Sequence, residues 1–352
     1  MTARLATTIG GFALPNPVIC GSGEPVMTES GIRAALAAGA AGVIAKSVNE
    51  QKAASRQLDR ADYAFLDANA PADRGGSLFN RSGLSQRDAR EWFAAIAAID
   101  REAARSGRFV AASIVLGGAD GAEQLAGFAR AAGLRVFELN VGAPHAAEAA
   151  PGAIAQETDP AGLTALVARV RAAAAGMQLW VKLTGLSANL PALALAAAEG
   201  GADGVVMMGR FMAMLPDLDT LAPVLGTSGA YGGGWALPIV CRFLALSRRA
   251  TEARVALLGT NGARGGADVA RMALAGAAAT EMLSVVMHEG FAGLARTLAE
   301  LDALLAARDL RFEALIGRAA DALAGYGSQP ERPGRWRQFV PPETLGGPEY
   351  NP

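Results

Sequence analysis

Residues 179–208 read LWVKLTGLSANLPALALAAAEGGADGVVMM, and they contain one complete strand–helix–strand unit. The apolar runs 179–183 and 204–208 are short and are bounded by glycine or polar residues, which predicts two buried strands. The Ala- and Leu-rich run 189–200 between them predicts a helix. A helical connection between two buried strands is the repeating unit of a parallel sheet whose helices lie outside it.

The same unit recurs along nearly the whole chain. Predicted strands lie near 17–20, 42–45, 109–115, 136–141, 179–183, 204–208, 255–258 and 281–285. Predicted helices lie near 29–39, 86–105, 120–132, 159–175, 189–200, 236–250, 265–275 and 288–306. Eight strand-then-helix units in order predict an α/β protein with a (β/α)8 TIM barrel fold. A doubly wound open sheet is the alternative, but it does not need eight units, and no clear G-x-G-x-x-G follows the first strand.

Length and composition fit one large domain followed by a different C-terminal segment. The chain has 352 residues, of which 51% are apolar, and it can therefore bury a large core. We predict a barrel over 1–325, interrupted near 51–85 by a long segment that mixes charge, glycine and proline. An insertion at the top face of a barrel is expected to act as a substrate lid. Residues 326–352 are expected to form an extended tail, which is either loose or packed on a partner subunit.

Charge and cysteine content restrict the function classes. The formal net charge is −1 and no dense Lys/Arg block occurs, which argues against nucleic-acid binding but is compatible with a local phosphate site. Cys20 and Cys241 lie in apolar segments and are interpreted as core residues rather than a disulfide, a metal pair or iron–sulfur ligands. No secretory signal follows Met1, and charged residues interrupt the Ala-rich stretches before they could span a bilayer. We therefore expect a cytoplasmic protein with no bound metal and no membrane association.

Three segments near the ends of the last strands could hold a phosphate group. The segment 259–262 (Gly-Thr-Asn-Gly) opens onto a helix, whose N-terminus offers N–H donors and the positive end of a dipole. Ser284, at the end of the predicted eighth strand, adds a hydroxyl, and the segment 227–234 is rich in glycine. Each glycine turn could be only a turn, but loops after strands seven and eight of a barrel often form a phosphate site. The candidate residues are Gly229, Gly233, Gly259, Thr260, Asn261, Gly262 and Ser284.

The segment Asn140-Val141-Gly142-Ala143-Pro144-His145 closes the fourth predicted strand and carries a family resemblance. It resembles the Asn-x-Ser-Cys-Pro-Asn/His segment of the dihydroorotate dehydrogenases and of the pyrimidine-reducing domain of dihydropyrimidine dehydrogenase. In those flavoenzymes the cysteine, or a serine in one class, is the catalytic acid or base. Ala143 stands at that position and can carry no proton. The resemblance therefore implies a retained FMN site with altered proton-transfer chemistry.

Other strand ends share this resemblance, which extends over roughly residues 5–310. Gly21-Ser22-Gly23 resembles an Ala-Ser-Gly segment that lies against the flavin, and Lys46-Ser47 and Lys182 stand where the family has lysines at the ends of strands two and five. An ammonium group there stabilises negative charge on the N1–C2=O edge of a reduced flavin. A lysine at a barrel rim could instead extend to solvent. Together with the phosphate loops, the implied cofactor-binding residues are Gly21, Ser22, Gly23, Lys46, Ser47, Asn140 and Lys182.

The resemblance also implies substrate contacts. Asn80 and Asn140 match amides that suit a cyclic imide, because an amide can both donate and accept hydrogen bonds. His145 stands at a further substrate position, where the pyrimidine-reducing enzyme also has histidine. Arg210 departs from the family pattern; it could anchor an anionic substrate, or it could be a solvated loop arginine.

Loss of the usual acid or base requires another route for the proton. His145 is the leading candidate carrier, with Tyr231 and Glu24 behind it, although a histidine in such a loop could equally be a hydrogen-bonding spectator. The predicted catalytic residues are His145, Lys182 and Lys46.

From these residues we predict an FMN-dependent oxidoreductase acting on CH–CH groups, of the kind found in pyrimidine metabolism. Hydride is expected to pass between the flavin and a small cyclic or carbonyl-conjugated substrate. Two alternatives stay open: an FMN-binding electron-transfer or structural subunit of a larger complex, and a phosphate-substrate lyase or isomerase with Lys182 as a Schiff-base nucleophile. The resemblance further implies a homodimer. Reoxidation is expected to use a soluble acceptor, oxygen or an electron-transfer partner subunit.

Overall fold

Eight parallel strands close into a barrel in a computed structural model that describes residues 3–51, 56–66, 76–143 and 154–345. Neighbouring barrel strands are consecutive in the chain, and the last pairs with the first. The TIM barrel prediction is confirmed. The strands β1–β8 are Val18–Cys20, Gly42–Ile44, Phe109–Val115, Val136–Asn140, Gln178–Lys182, Gly204–Met207, Ala256–Thr260 and Ala277–Met282.

Helices surround the barrel, and several begin at side chains that cap them. Thr28 accepts the N–H of Gly31, and Asp159 accepts the N–H of Gly162, which satisfies donors that the first turn leaves free. The α-helices of the described residues, α1–α10, are Glu29–Ala37, Ala89–Ala104, Ala119–Ala132, Pro160–Ala173, Leu190–Glu199, Leu237–Ala250, Gly266–Leu274, Ser284–Glu289, Ala292–Ala306 and Arg318–Asp321.

The barrel interior changes from apolar to polar along its axis. At the N-terminal end, the rings of Phe109 and Trp180 pack edge to face with centroids 5.2 Å apart. An antiparallel hairpin, Thr7–Ile9 with Phe12–Leu14, packs against this apolar cluster. Because side chains alternate along a strand, the buried Trp180 and the later Lys182 of β5 point into the same interior. The polar side chains therefore collect at the C-terminal mouth, where barrel enzymes place their sites.

A second sheet of four antiparallel strands lies outside the closed barrel. Its strand order is Phe211–Ala213, Gly229–Gly232, Ser77–Arg81 and Asp62–Leu66. Two of these strands belong to the predicted lid-like insertion near 51–85, and the other two follow β6. We name these four strands the outer sheet. Its main-chain ladder joins the loops after β2 and β6.

The predicted position of the eighth strand is wrong by about four residues. The strand runs over Ala277–Met282 rather than 281–285, because the three alanines at its start lack the β-branched and aromatic side chains that mark a strand. Ser284 consequently begins α8 instead of ending a strand, and Glu281 lies within β8. The helix predicted near 288–306 is confirmed as α9, Ala292–Ala306, but its start was placed too early, since residues 288–289 end α8.

The chain divides into two compact units, residues 1–321 and residues 322–352. The described part of the second unit contains the short 3-10 turns Tyr326–Ser328, Arg335–Phe339 and Pro342–Leu345. The boundary near 325 and the role of this tail stay predictions. Cys20 is buried, Cys241 is half-buried, and both are free thiols. Among the described helices, none has the length and apolar character needed to cross a membrane.

Candidate functional site

A cleft opens at the C-terminal mouth of the barrel. It encloses about 1080 Å³ of space free of protein atoms, counted out to its open mouth. Leu78 and the segment 82–84 from the insertion line it, so the insertion contributes one wall. The predicted site residues that line the cleft are Gly21, Ser22, Lys46, Ser47, Asn140, Lys182, Arg210, Thr260, Asn261, Gly262 and Ser284.

Other predicted cofactor glycines do not line the cleft, because neighbouring groups fill the space beside them. A Cβ atom on Gly23 would lie 2.5 Å from Leu283, and one on Gly259 would lie 2.6 Å from Met272. Gly229 and Gly233 approach the strand Ser77–Arg81 in the same way. Their cofactor roles stay predictions, and close packing accounts for each glycine. His145 lies outside the described residues.

Lys46 forms a buried ion pair at the end of β2. Its Nζ donates to Glu24 Oε1 at 2.8 Å and to Ser82 Oγ at 3.0 Å, and Ser82 Oγ donates to Glu24 Oε1 at 2.8 Å. Burial acts to raise the pKa of Glu24, but the Lys46 charge and these hydrogen bonds outweigh it and lower the pKa to about 2. Burial lowers the pKa of Lys46, and its bond to Glu24 opposes that change.

Arg210 adds a second cation on this side of the cleft. Its Nη1 donates to the side-chain oxygen of Asn80, a residue of the outer sheet that is buried and does not line the cleft. Burial lowers the pKa of Arg210, while Glu24 and Tyr63 favour its charged form. Burial, together with the nearby Glu24 carboxylate, raises the pKa of the Tyr63 hydroxyl. Lys46 and Arg210 against one carboxylate leave a net positive charge here, so this wall favours an anionic or electron-rich ligand.

Lys182 lies between two carboxyl groups inside the barrel. Its Nζ donates to Glu281 Oε2 at 2.5 Å and lies 3.7 Å from Glu138 Oε2. Glu138 is fully buried and Glu281 is 2% exposed. Burial raises the pKa of Glu281 to about 8, and the Glu138 charge adds to this effect. Burial alone would lower the pKa of Lys182, but the two carboxylates raise it, so Lys182 is a charged ammonium group.

A chain of serine hydroxyls links the cleft to Glu138. Ser22 Oγ and Ser47 Oγ are 3.0 Å apart, and Ser47 Oγ and Ser113 Oγ are 2.8 Å apart. Ser113 Oγ donates to Glu138 Oε1 at 2.9 Å. Ser22 and Ser47 line the cleft, so the chain connects its floor to the barrel interior.

Ala143 occupies a closed, apolar corner of the cleft wall. It is 4% exposed and packs in a cluster with Leu84, Val115 and Ile154. Its carbonyl accepts Nε2 of Gln156 at 2.7 Å. None of these four side chains is titratable, so Ala143 and its described neighbours supply no acid or base at this position.

The corner after β7 has the features of an anion site. Gly262 has φ +112°, a conformation that favours glycine, and in the described chain no hydrogen bond uses the N–H groups of Gly262 or Ala263. The expectation that the N-terminus of α7 supplies free donors is wrong for Gly266, whose N–H donates to Glu300 Oε2 at 3.0 Å. The N–H groups without a partner in the described chain are those of Gly262 and Ala263, in the loop before α7.

Sequence reasoning missed the carboxyl groups inside the barrel. Glu138 interrupts the apolar run of β4, and an ionisable residue within a buried strand was the available signal. Glu281 gave a weaker indication of a buried acid, because the predicted eighth strand began at residue 281 and Glu281 therefore stood at its edge. Among the described residues, no cluster of His, Cys, Asp and Glu side chains could hold a metal ion.

Comparison with known proteins points to one family. The sequence model of the dihydroorotate dehydrogenase family matches residues 4–305. Dihydroorotate dehydrogenase A (fumarate) of Limosilactobacillus reuteri is 33% identical over 166 residues, which are 47% of this chain and 52% of that protein. The chain thus matches about half the length of that relative. The catalytic subunit of dihydroorotate dehydrogenase B (NAD(+)) of Methanocella arvoryzae is 28% identical over 322 residues, which are 90% of this chain and 98% of that protein.

Proposed function

The chain belongs to the dihydroorotate dehydrogenase family, and from this premise we propose that it is an FMN-dependent oxidoreductase with altered proton-transfer chemistry. The observation that carries the proposal is the cleft. Lys46 after β2 is buried, the Lys182 side chain at the end of β5 is only 14% exposed, and both line the cleft together with the loop after β7 whose N–H groups lack a partner. A sequence remnant without function would not need to keep these charged groups buried, because each costs desolvation free energy.

The residues of the cleft fit FMN. The N–H groups of Gly262 and Ala263, with the Ser284 hydroxyl, would bind the phosphate, because they offer donors without a competing partner. Gly21 and Ser22 present backbone and a small side chain to the cleft, which suits a flat ring system.

Bound FMN would supply the redox chemistry, by exchanging a hydride with a carbon of a small cyclic or carbonyl-conjugated substrate. Lys182 would hold positive charge beside the ring, and its bond to Glu281 fixes the direction of the ammonium group. Lys46 is fixed in the same way by Glu24 and Ser82. Asn140 accepts the N–H of Gly142 through Oδ1 at 2.9 Å, which leaves its amide nitrogen to donate into the cleft.

Ala143 requires the substrate proton to move by another route. Glu24 is poorly suited to be a base, because Lys46 and Ser82 hold its pKa at about 2. Tyr231 stacks on Trp235 with ring centroids 5.0 Å apart and does not line the cleft. We therefore propose His145, which follows Ala143 by two residues, as the proton carrier, and this assignment lies outside the described residues.

The visible spectrum of the purified protein tests the cofactor. We expect near-stoichiometric FMN, released on denaturation and identified by its mass. Anaerobic bleaching by a reducing substrate would distinguish an enzyme from an electron-transfer subunit, which would be reduced only by a partner. A colourless protein that also fails to take up added FMN would overturn the proposal.

The substitution Ala143→Cys tests the altered proton chemistry. If substrate recognition has survived, a thiol at this corner should raise dihydroorotate or dihydrouracil oxidation by about 10²–10⁴-fold, the usual contribution of a placed acid or base. Ala143→Val is the matched control, since valine adds bulk at the same buried position but has no side-chain proton to transfer. Equal rates in the two variants would show that the pocket itself takes another substrate.

A lyase or isomerase that uses Lys182 as a Schiff-base nucleophile is disfavoured. Such a lysine must lose its proton, which requires a lowered pKa. Glu138 and Glu281 raise the pKa of Lys182 instead. Failure of borohydride to trap a carbonyl substrate on Lys182 is the expected result.

A further inference from the structure

Glu138 and Glu281 contain two buried oxygens that lack a donor. Glu138 Oε1 accepts from Ser113 and Glu281 Oε2 accepts from Lys182, whereas Glu138 Oε2 and Glu281 Oε1 have no hydrogen-bond partner among the described groups. The two carboxyl groups face the same ammonium group, since Lys182 Nζ lies 2.5 Å from Glu281 Oε2 and 3.7 Å from Glu138 Oε2. Two ionised carboxylates gathered around one cation inside a protein would repel, and neither free oxygen would be satisfied.

We propose that Glu138 and Glu281 share one proton between these two free oxygens, and that this acid pair sets the charge beside Lys182. With one proton, the pair carries a single negative charge, which Lys182 balances. Without it, the three groups carry a net negative charge on the floor of the cleft. The role of the pair in setting the charge beside the cofactor rests on the proposed FMN function, whereas the shared proton does not.

The surroundings of the pair support a shared proton rather than two charges. Lys182 from β5 is its neighbouring cation, and its Nζ bonds directly to only one of the two carboxyl groups. Cys20 from β1 is neutral near the pair, because burial, together with the Glu281 charge, raises its pKa to about 12. Arg210, which follows β6, acts on Lys182 only as a more distant charge. The pKa of Glu281 is raised to about 8, as expected for the group that keeps the proton at neutral pH.

The serine chain gives the pair a fixed orientation and an outlet. Because Ser113 Oγ donates to Glu138 Oε1, the other carboxyl oxygen, Oε2, remains available to share a proton with Glu281. The contacts Ser113–Ser47 and Ser47–Ser22 continue to the cleft floor. Glu138 and Glu281 are thus positioning residues, which act on the cofactor through charge and through Lys182.

The consequence for the cofactor is a link between its charge and the proton of the pair. Reduction places negative charge at the cofactor ring, and a neutral floor opposes this less than a negative floor does. Above the pKa of the pair, reduction should therefore draw one additional proton onto it. In a two-electron couple, one additional proton changes the equilibrium constant tenfold per pH unit, which is about 30 mV.

The test uses the whole chain, with Glu281→Gln as the variant that keeps shape and hydrogen bonding but removes the acid. Glu199→Gln is the matched control, because Glu199 is exposed at the end of α5. Infrared difference spectra of the apoprotein between about pH 6 and about pH 10 should show a protonated carboxyl band that is lost on titration. We expect this band in the wild type and in Glu199→Gln, and its absence in Glu281→Gln. Its absence from the wild type would overturn the shared proton.

Potentiometry of the FMN-loaded protein then tests the charge-setting role. We expect the midpoint potential of the wild type to fall more steeply with pH above the pKa of Glu281, by about 30 mV more per pH unit than in Glu281→Gln. Identical slopes in the two proteins would overturn this role. A protein that shows the infrared band but binds no FMN would overturn the cofactor role together with the proposed function, and would leave the shared proton established.

Discussion

Removing the charge of Lys46 should destabilise the protein through the carboxylate that it leaves behind. Lys46 is 4% exposed and bonds to Glu24 at 2.8 Å, and Glu24 itself is largely buried. The pKa of Glu24 falls from 4.5 to about 2, which at about 1.4 kcal/mol per unit corresponds to about 3 kcal/mol of stability at neutral pH. Loss of one partner from a buried ion pair typically costs about 3–5 kcal/mol, in agreement with this value.

The substitution Lys46→Met should therefore lower the free energy of unfolding of the apoprotein by about 3 kcal/mol at pH 7. Urea unfolding, followed by circular dichroism and by tryptophan fluorescence, measures this difference. The contribution of a group with a depressed pKa is present above its unfolded value and is lost as pH falls through its folded value. The difference between wild type and Lys46→Met should thus shrink between about pH 4.5 and about pH 2.

Two further variants make the reasoning refutable. Arg33→Met removes the cation of an exposed pair with Glu102 and should change stability little, since water screens such pairs. The double variant Lys46→Met/Glu24→Gln should recover part of the lost stability, because no unpaired charge remains. If Lys46→Met costs no more than Arg33→Met at pH 7, or costs as much at pH 3 as at pH 7, the ion pair does not act as described.

Two other outcomes follow from the site. The folded apoprotein holds a proton on Glu281 that the unfolded chain releases, so its stability should fall by about 1.4 kcal/mol per pH unit as pH rises from about 4.5 to about 8, and chemical unfolding of Glu281→Gln should show a flatter profile. If the stability of Glu281→Gln depended on pH as steeply as that of the wild type, the raised pKa of Glu281 would be contradicted. Gly262→Ala should weaken FMN binding and lower the melting temperature, because its Cβ would lie 2.7 Å from the backbone of Leu237 at a φ of +112°. Gly133→Ala, at φ +83° with open space around it, is the control that adds backbone strain without a clash, and an equal loss in both would refute the clash.

The fold could be predicted from the sequence because its signals are local. Alternating apolar runs placed seven of the eight barrel strands to within a few residues, and capping side chains such as Thr28 agree with the predicted helix starts. The prediction of the eighth strand was displaced because alanine has little preference for strands. The first residues of that strand therefore show no alternation of apolar and polar side chains. Lys46 and Lys182 could be placed at the mouth because each directly ends a predicted strand.

The polar interactions of the site could not be predicted in the same way, because they join distant parts of the chain. Arg210 bonds to Asn80 across 130 residues of sequence, and Lys182 bonds to Glu281 across 99. Glu138 and Glu281 come from strands that are not neighbours in the barrel. Which acid faces which base thus depends on barrel closure and on strand register, and neither can be read from a single segment.

The outer sheet has a consequence for how new substrate preferences could arise on this scaffold. Its backbone ladder pairs Ala230 with Asn80 and Tyr231 with Phe79, so the loops after β2 and β6 are built as one piece. A residue inserted into or deleted from either strand would shift the pairing and turn its side chains to the opposite face. The two loops must therefore change in concert, and grafts that transplant them as a matched pair should retain the barrel mouth where exchange of one alone would disrupt it.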